Sequence, residues 1–437
     1  MTVTPPWNPS SYPTDSYTAD LREFIESSPS AWHCAEAVRA RFVDAGFREV
    51  SAAEPWPEAP GGYVMVRDGA VMAWWRPQRL RDDPEFRVVG VHTDSPTFAL
   101  KPKPSSTHAS GWGQLNVEVY GGMIPDTWVD RDLALAGRLI GTDGRATLVR
   151  TDAIARIPHL AIHLDRSQRE SLHLDPQQHL RPIWTIGAEA DVLDYLAHQV
   201  GWGGAQDVTA FDVVMIDSQP PALLGADHNL LAAPRQDNLV SVFSAMRALL
   251  AAAGSDAAEE AGRLLVFAAF SHEEVGSETM TGAAGPILED VLERLAEPLD
   301  PTRSAWRRMI ARSLCLSADV AHSVHPNYAD RHDPEHWPIA GGGPVLKINA
   351  NQRYATEAIG AACWRRCCEL ADVPHQDFVS NNAVTCGSTI APITATRLGI
   401  RTIDVGSPIL SMHSARELSH VADHPAMSQA MAAFWAS

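Results

Sequence analysis

Four strand-like stretches of this chain end in histidines and acids. FRVVGVHTDSP (86–96) delivers His92 and Asp94, and RLLVFAAFSHEE (263–274) delivers His272, Glu273 and Glu274. SLCLSADVAHSVH (313–325) delivers Asp319, His322 and His325, and SPILSMHS (407–414) delivers His413. Short continuous apolar runs read as strands buried on both faces, which need a layer of structure on either side. Helical patterns near 18–27, 31–45, 237–253, 356–371 and 427–436 supply those layers. Strands alternating with helices imply an α/β fold, a sheet with helices on both faces. Ligands bind beyond the carboxyl ends of the strands in such sheets, so one edge should collect all of these side chains.

The residue types constrain the chemistry. Imidazole nitrogen with carboxylate oxygen, and no thiolate, suits zinc, cobalt or manganese in a catalytic site. The six cysteines form no CxxC pair and read as buried thiols, which fits a reduced, cytoplasmic setting. The absence of HExxH removes the single-zinc helix site. Adjacent acids such as Glu273 and Glu274 can divide the work, one on a metal and one on a proton, and a bridging carboxylate could hold two metals ~3.5–4 Å apart. Any one of these histidines alone is more simply a hydrogen-bonded structural residue. Four strand ends with the same chemistry are not simply explained that way.

Between about 101 and 225 the texture changes to short alternating runs, such as QLNVEVYGG and LALAGRLIGTDGRATLV, with one helix near 191–200. This is a mostly β insert. YVMVRDGAVMAWW (63–75) alternates around Asp68-Gly69 and predicts a hairpin. FDVVMID (211–217), PVLKINA (344–350) and IRTIDVG (400–406) are further strands, and residues 1–16 read as an arm. A length of 437 residues allows two or three domains. Fifty-three acidic against 35 basic side chains give −18, which argues against nucleic acid and against an anionic membrane surface. No apolar run approaches the ~18 residues of a membrane span, and the first residues do not resemble a signal peptide.

In these motifs the sequence closely resembles the aspartyl aminopeptidase family of dinuclear metallopeptidases. VGVHTDSP (89–96), VEVYGG (117–122), TWVDRDLALAGR (127–138), IPHLAIHL (157–164) and PRQDNL (234–239) carry the first half of the resemblance. HEEVGS (272–277), SADVAHSVHPNYADRHD (317–333), GPVLKINANQRYAT (343–356), CGSTIAPITATRLGIRTIDVG (386–406) and SMHSARE (411–417) carry the second. The resemblance implies metal ligation by His92, Asp237, Glu274, Asp319 and His413. Asp237 would bridge a metal on His92 and Asp319 and another on Glu274 and His413. Glu273 corresponds to the general base, and Asp94 to the acid that orients His92. Substrate contacts are implied for His322, Lys347 and Tyr354, and for His163 of a neighbouring subunit.

The implied enzyme is a metalloaminopeptidase with two divalent ions, zinc foremost and cobalt or manganese as alternatives. It would remove N-terminal Asp or Glu from peptides and work as a homo-oligomer, a dodecamer built from dimers. Residues 1–100 and 226–437 would form the catalytic domain and 101–225 an inserted dimerisation and substrate-access domain. Two departures from the family pattern, Ser271 in place of an acid and the GGMIPDTW turn (121–128), are not expected to touch an implied ligand. The competing readings are a deacylase on the same scaffold and a non-enzymatic oligomeric binding protein. Lysine is scarce, with only Lys101, Lys103 and Lys347 among the 35 basic residues, so a lysine kept inside the apolar strand 344–350 points to a compact cation with a task. Asp237 could instead merely cap the helix that follows it.

Overall fold

The computed structural model describes residues 14–187, 190–300 and 302–437. The expected N-terminal arm lies outside the described residues up to position 13, and from Thr14 to Ser27 the chain is already helical.

The centre is a nine-stranded mixed sheet. Its middle strands, Leu264–Phe270, Phe86–His92, Leu314–Ala318 and Arg401–Gly406, run parallel as neighbours in that order. Alternation explains why they are largely apolar. Leu265, Phe267 and Ala269 enter one core, while Leu264, Val266, Ala268 and Phe270 enter the other. The first core also takes residues of the helices Thr14–Ser27, Ala31–Asp44, Gln236–Ala252, Ala358–Leu370 and Asp423–Ala436. The second takes residues of Ile287–Ala296, Arg303–Arg312 and Ile390–Leu398. Burial on both faces admits polar residues inside these strands only where they find partners, as Arg87 does with Glu85 and Asp404 with Ser317 and Thr389, and the histidines and acids of the site collect where the strands stop. His92 pairs in register with Phe270, which places the loops that follow both strands side by side.

A six-stranded antiparallel sheet is built from segments between Thr97 and Asp217, around its own core of Phe98, Leu115, Leu133, Leu135, Val213 and Met215. The helix Val192–Gln199, capped by Asp191, packs on it through Val192 and Leu196. A third sheet of five strands joins Ala222–Leu224 and Leu230–Ala233 to Ala321–His322, Pro408–Leu410 and Glu417–His420. The strand leading to His413 is therefore not part of the central sheet. After Gly406 the chain leaves that sheet, pairs with Ala321–His322, and turns back through a loop in which Ser411 and His413 have positive φ. All six cysteines are free thiols.

Candidate active site

His92 closes its strand, and its ring is buried at 1% exposure. Its Nδ1 lies 3.0 Å from the Asp94 carbonyl oxygen. A carbonyl can only accept, so the proton sits on Nδ1 and Nε2 is left bare. That Nε2 faces Asp237 Oδ1 at 3.2 Å and Asp319 Oδ1 at 3.6 Å. His413 repeats the arrangement. Its Nδ1 donates to the Gly122 carbonyl at 2.9 Å, and its Nε2 faces Asp237 Oδ2 at 3.3 Å and Glu274 Oε2 at 3.5 Å. Two groups of three, His92–Asp237–Asp319 and Asp237–Glu274–His413, each hold their ligand atoms within 4.8 Å of one another.

This donor set fits divalent cations. Bare imidazole nitrogens set against carboxylate oxygens repel unless a proton or a cation lies between them. Asp237 Oδ1 and Glu274 Oε1 are buried and make no hydrogen bond, which is costly for a carboxylate with no positive partner. The acid–base properties report the same crowding. Burial pushes the Glu274 carboxyl well above its usual range, with Asp237 adding to it. Glu273 is pushed up to about 7 by burial first, with Asp319, Asp237 and Asp94 reinforcing the rise against His92. For His92, burial favours the neutral ring, but Asp237, Asp319 and Asp94 outweigh it and hold the imidazole well above its ordinary value.

The backbone that carries these groups is held by two carboxylates. Asp94 accepts Glu273 N–H at 3.0 Å through Oδ1 and Glu274 N–H at 3.1 Å through Oδ2. Its carboxylate stands 3.6 Å from His92 Nδ1, so the ring is oriented mainly by the Asp94 carbonyl. Glu417 similarly accepts Asp237 N–H and His413 N–H. Burial, then Asp237, raises the Glu417 carboxyl to about 8, while the two N–H groups work against the rise. Asp237 does not cap its helix. Its Oδ1 has no hydrogen-bond partner and its Oδ2 faces His413 Nε2, so neither oxygen is turned to the N–H groups of the helix start.

A cavity of about 420 Å³ opens beside these acids. Glu273, Asp319, His322, Lys347 and Tyr354 are in its wall. Lys347 sits on the strand Val345–Ile348, only 2% exposed, so it is not a solvated edge charge. Its Nζ donates to the Val320 carbonyl at 3.1 Å, lies 4.0 Å from Asp319 Oδ2 and is 5.0 Å from the Tyr354 ring centroid. The His322 ring lies 5.8 Å from Phe378 and is held below its ordinary pKa by desolvation and then by Lys347. His163 is not in this wall. It is exposed on the segment after Ile157, beside Leu160 at 53% and Leu164 at 74% exposure.

Sequence reasoning left Glu417 and Tyr120 without a role. Both lie in the quoted motifs SMHSARE and VEVYGG, and that position was the only signal available.

A family model described as aminopeptidase I zinc metalloprotease (M18) matches residues 24–435. The chain is 48% identical over 423 residues to a Streptomyces avermitilis protein named probable M18 family aminopeptidase 2, covering 96% of this chain and 97% of that one. Ape4, solved in complex with Nbr1, superposes with a TM-score of 0.93 at 33% identity, covering 97% of this chain and 86% of Ape4. The mApe1 dodecamer of S. cerevisiae superposes with a TM-score of 0.83 at 26% identity, covering 97% of each chain.

Proposed function

The chain belongs to the aminopeptidase I zinc metalloprotease family, M18, and is a metallo-aminopeptidase; from that premise we propose that it removes N-terminal Asp or Glu from peptides with two metal ions shared through Asp237. The observation that carries this reading is the divided Asp237 carboxylate, with Oδ1 toward His92 and Oδ2 toward His413. His92 and Asp319 would complete one metal position, and Glu274 and His413 the other. Bound there, two divalent cations, zinc foremost, would acidify a shared water and polarise the scissile carbonyl.

The remaining roles belong to the chain itself. Glu273, with a carboxyl near neutrality, is suited to take the proton of the attacking water and pass it to the leaving amine. Asp94 keeps the Glu273–Glu274 backbone in place. Lys347 offers a desolvated cation in the cavity wall for an acidic substrate side chain, with His322 and Tyr354 beside it.

The enzyme works as a homo-oligomer in the cytoplasm, a dodecamer in this reading, with residues 101–225 as its dimerisation and substrate-access unit and 1–100 with 226–437 as the catalytic unit. Exposed Leu160, Ile162, Leu164 and Leu172 around His163 support a contact with a second copy, because such apolar clusters mark association surfaces.

Two measurements test the proposal. Metal counting should give two ions per chain in the wild type and neither in Asp237→Ala; loss of one ion alone would contradict the shared carboxylate. Aspartyl, glutamyl, alanyl and N-acetyl-aspartyl substrates, each with Zn²⁺, Mn²⁺ or Co²⁺, should show cleavage of the free acidic aminoacyl compounds first. Preference for the alanyl or the acetylated compound would overturn the specificity.

A further inference from the structure

The strand Trp112–Tyr120 of the six-stranded sheet ends against the candidate site. The Tyr120 hydroxyl donates to Asp94 Oδ2 at 2.8 Å. Asp94 is 5% exposed, and its two oxygens also receive the N–H groups of Glu273 and Glu274. The turn that follows reaches the other half of the site. Gly121 has a φ of +73°, and a Cβ there would come within 3.1 Å of the Glu274 Cβ. Gly122 supplies the carbonyl that fixes His413 Nδ1, and Ile124 N–H donates to the His413 carbonyl at 3.0 Å. The end of that strand and the turn after it therefore touch the Asp94 carboxylate, Glu274 and His413, so the 121–128 turn, expected to touch no ligand, in fact reaches two of them.

We propose that Tyr120 is a positioning residue of the reaction site, its hydroxyl holding the Asp94 carboxylate in the orientation that fixes Glu273 and Glu274. The inference rests on the reading of those two glutamates as base and metal ligand. Without the hydroxyl, Asp94 Oδ2 keeps only the Glu274 N–H and is free to swing toward its other neighbours. The Glu273–Glu274 turn carries positive φ at His272 on one side and at Gly276 on the other, so it depends on side-chain anchors for its shape. A mixed role explains why a tyrosine stands here: its ring spans from the strand end, and its hydroxyl completes the third donor on a buried carboxylate. The six-stranded sheet is then part of the chemistry as well as a candidate assembly surface.

The test is a double-mutant cycle between Tyr120→Phe and Asp94→Asn in the full-length assembled protein, with thermal unfolding and particle size recorded for each variant. Tyr120→Phe should lower kcat and zinc affinity by ~10–100-fold, the usual effect of removing a partner behind a metal site, with KM little changed. In the Asp94→Asn background the same change should cost no more than about twofold, because the hydroxyl acts through that carboxylate. Equal losses in both backgrounds, or an unchanged kcat and zinc affinity in Tyr120→Phe, would overturn the proposal. Zinc affinity, read by chelator competition, reports on Tyr120 even in a protein that cleaves no peptide. Failure of peptide cleavage by the wild type would instead sink the functional reading.

Discussion

Glu417 holds Asp237 from behind, its Oε2 accepting the Asp237 backbone N–H at 3.0 Å while Oε1 accepts that of His413 at 2.9 Å. One buried carboxylate thus sets the distance between two residues that meet from chain positions 176 apart, ahead of any metal. Glu417→Gln would turn an amide NH₂ toward one of those N–H groups, donor against donor. Metal affinity should fall ~10–100-fold, read by chelator competition, while the sheet and its cores persist. Wild-type affinity in the variant would show that Glu417 serves the fold alone.

Glu273→Gln should leave the metal content unchanged and lower turnover by ~10²-fold or more. The side chain keeps its shape and loses only the ability to carry a proton. Near-normal turnover in a metal-loaded preparation would remove Glu273 from the reaction.

Lys347→Met should reduce kcat/KM for aspartyl and glutamyl substrates by ~30–150-fold and spare alanyl ones, which corresponds to the ~2–3 kcal/mol of a hydrogen bond to a charged group. The competing role is visible in the structure, since Nζ also stands 4.0 Å from Asp319 Oδ2. Parallel losses on acidic and neutral substrates would assign Lys347 to holding Asp319 rather than to reading the substrate.

His163 is exposed and absent from the cavity wall of its own chain, so its contribution requires a second copy. His163→Ala should depress activity in the intact assembly without changing its size. Dilution or interface mutation to single protomers should abolish activity with metals still bound. Ultracentrifugation alongside activity checks both, and a fully active protomer would refute the arrangement.

Asp423 provides a pH test away from the metals. Burial pushes its carboxyl up to about 7, and the N–H groups of Gly341 and Gly343, each 2.8 Å from one of its oxygens, only partly oppose this. A carboxyl raised in the fold favours the protonated form. Its contribution is therefore intact below the unfolded value near 4, declines as pH rises toward 7, and is flat above that. Relative to wild type, Asp423→Asn should gain stability between pH 4 and pH 7, by at most ~4 kcal/mol, in denaturant titrations at matched metal content. A difference that does not change with pH would show that Asp423 titrates normally.

Much of the architecture was legible in the linear sequence for a local reason. A strand buried on both faces is largely apolar along its length, so FRVVGVH, LLVFAAF and LCLSA announce themselves and the polar residues after them stand out. The Asp68-Gly69 hairpin and the helices around 31–45 and 191–200 rest on signals within a few residues of each other, and they are found as expected. Family motifs then implied roles for single residues.

What the sequence by itself determined is the type of layer and the kinds of side chain that end each strand. Tertiary structure decided which atoms meet. Nothing local shows that His413 arrives from the five-stranded sheet rather than the central one, or that the Asp94 carbonyl orients His92 while its carboxylate serves Glu273 and Glu274. Tyr120 and Glu417 were silent for the same reason: the bonds that tie them to Asp94 and Asp237 reach 26 and 180 positions away, and the nearer bond of Glu417, to His413, shows only once the loop between them is folded. Apolar periodicity is written along the chain, because burial depends on which face of an element a residue occupies. Hydrogen bonds between distant segments depend on how whole sheets pack, and that is fixed only when the fold closes.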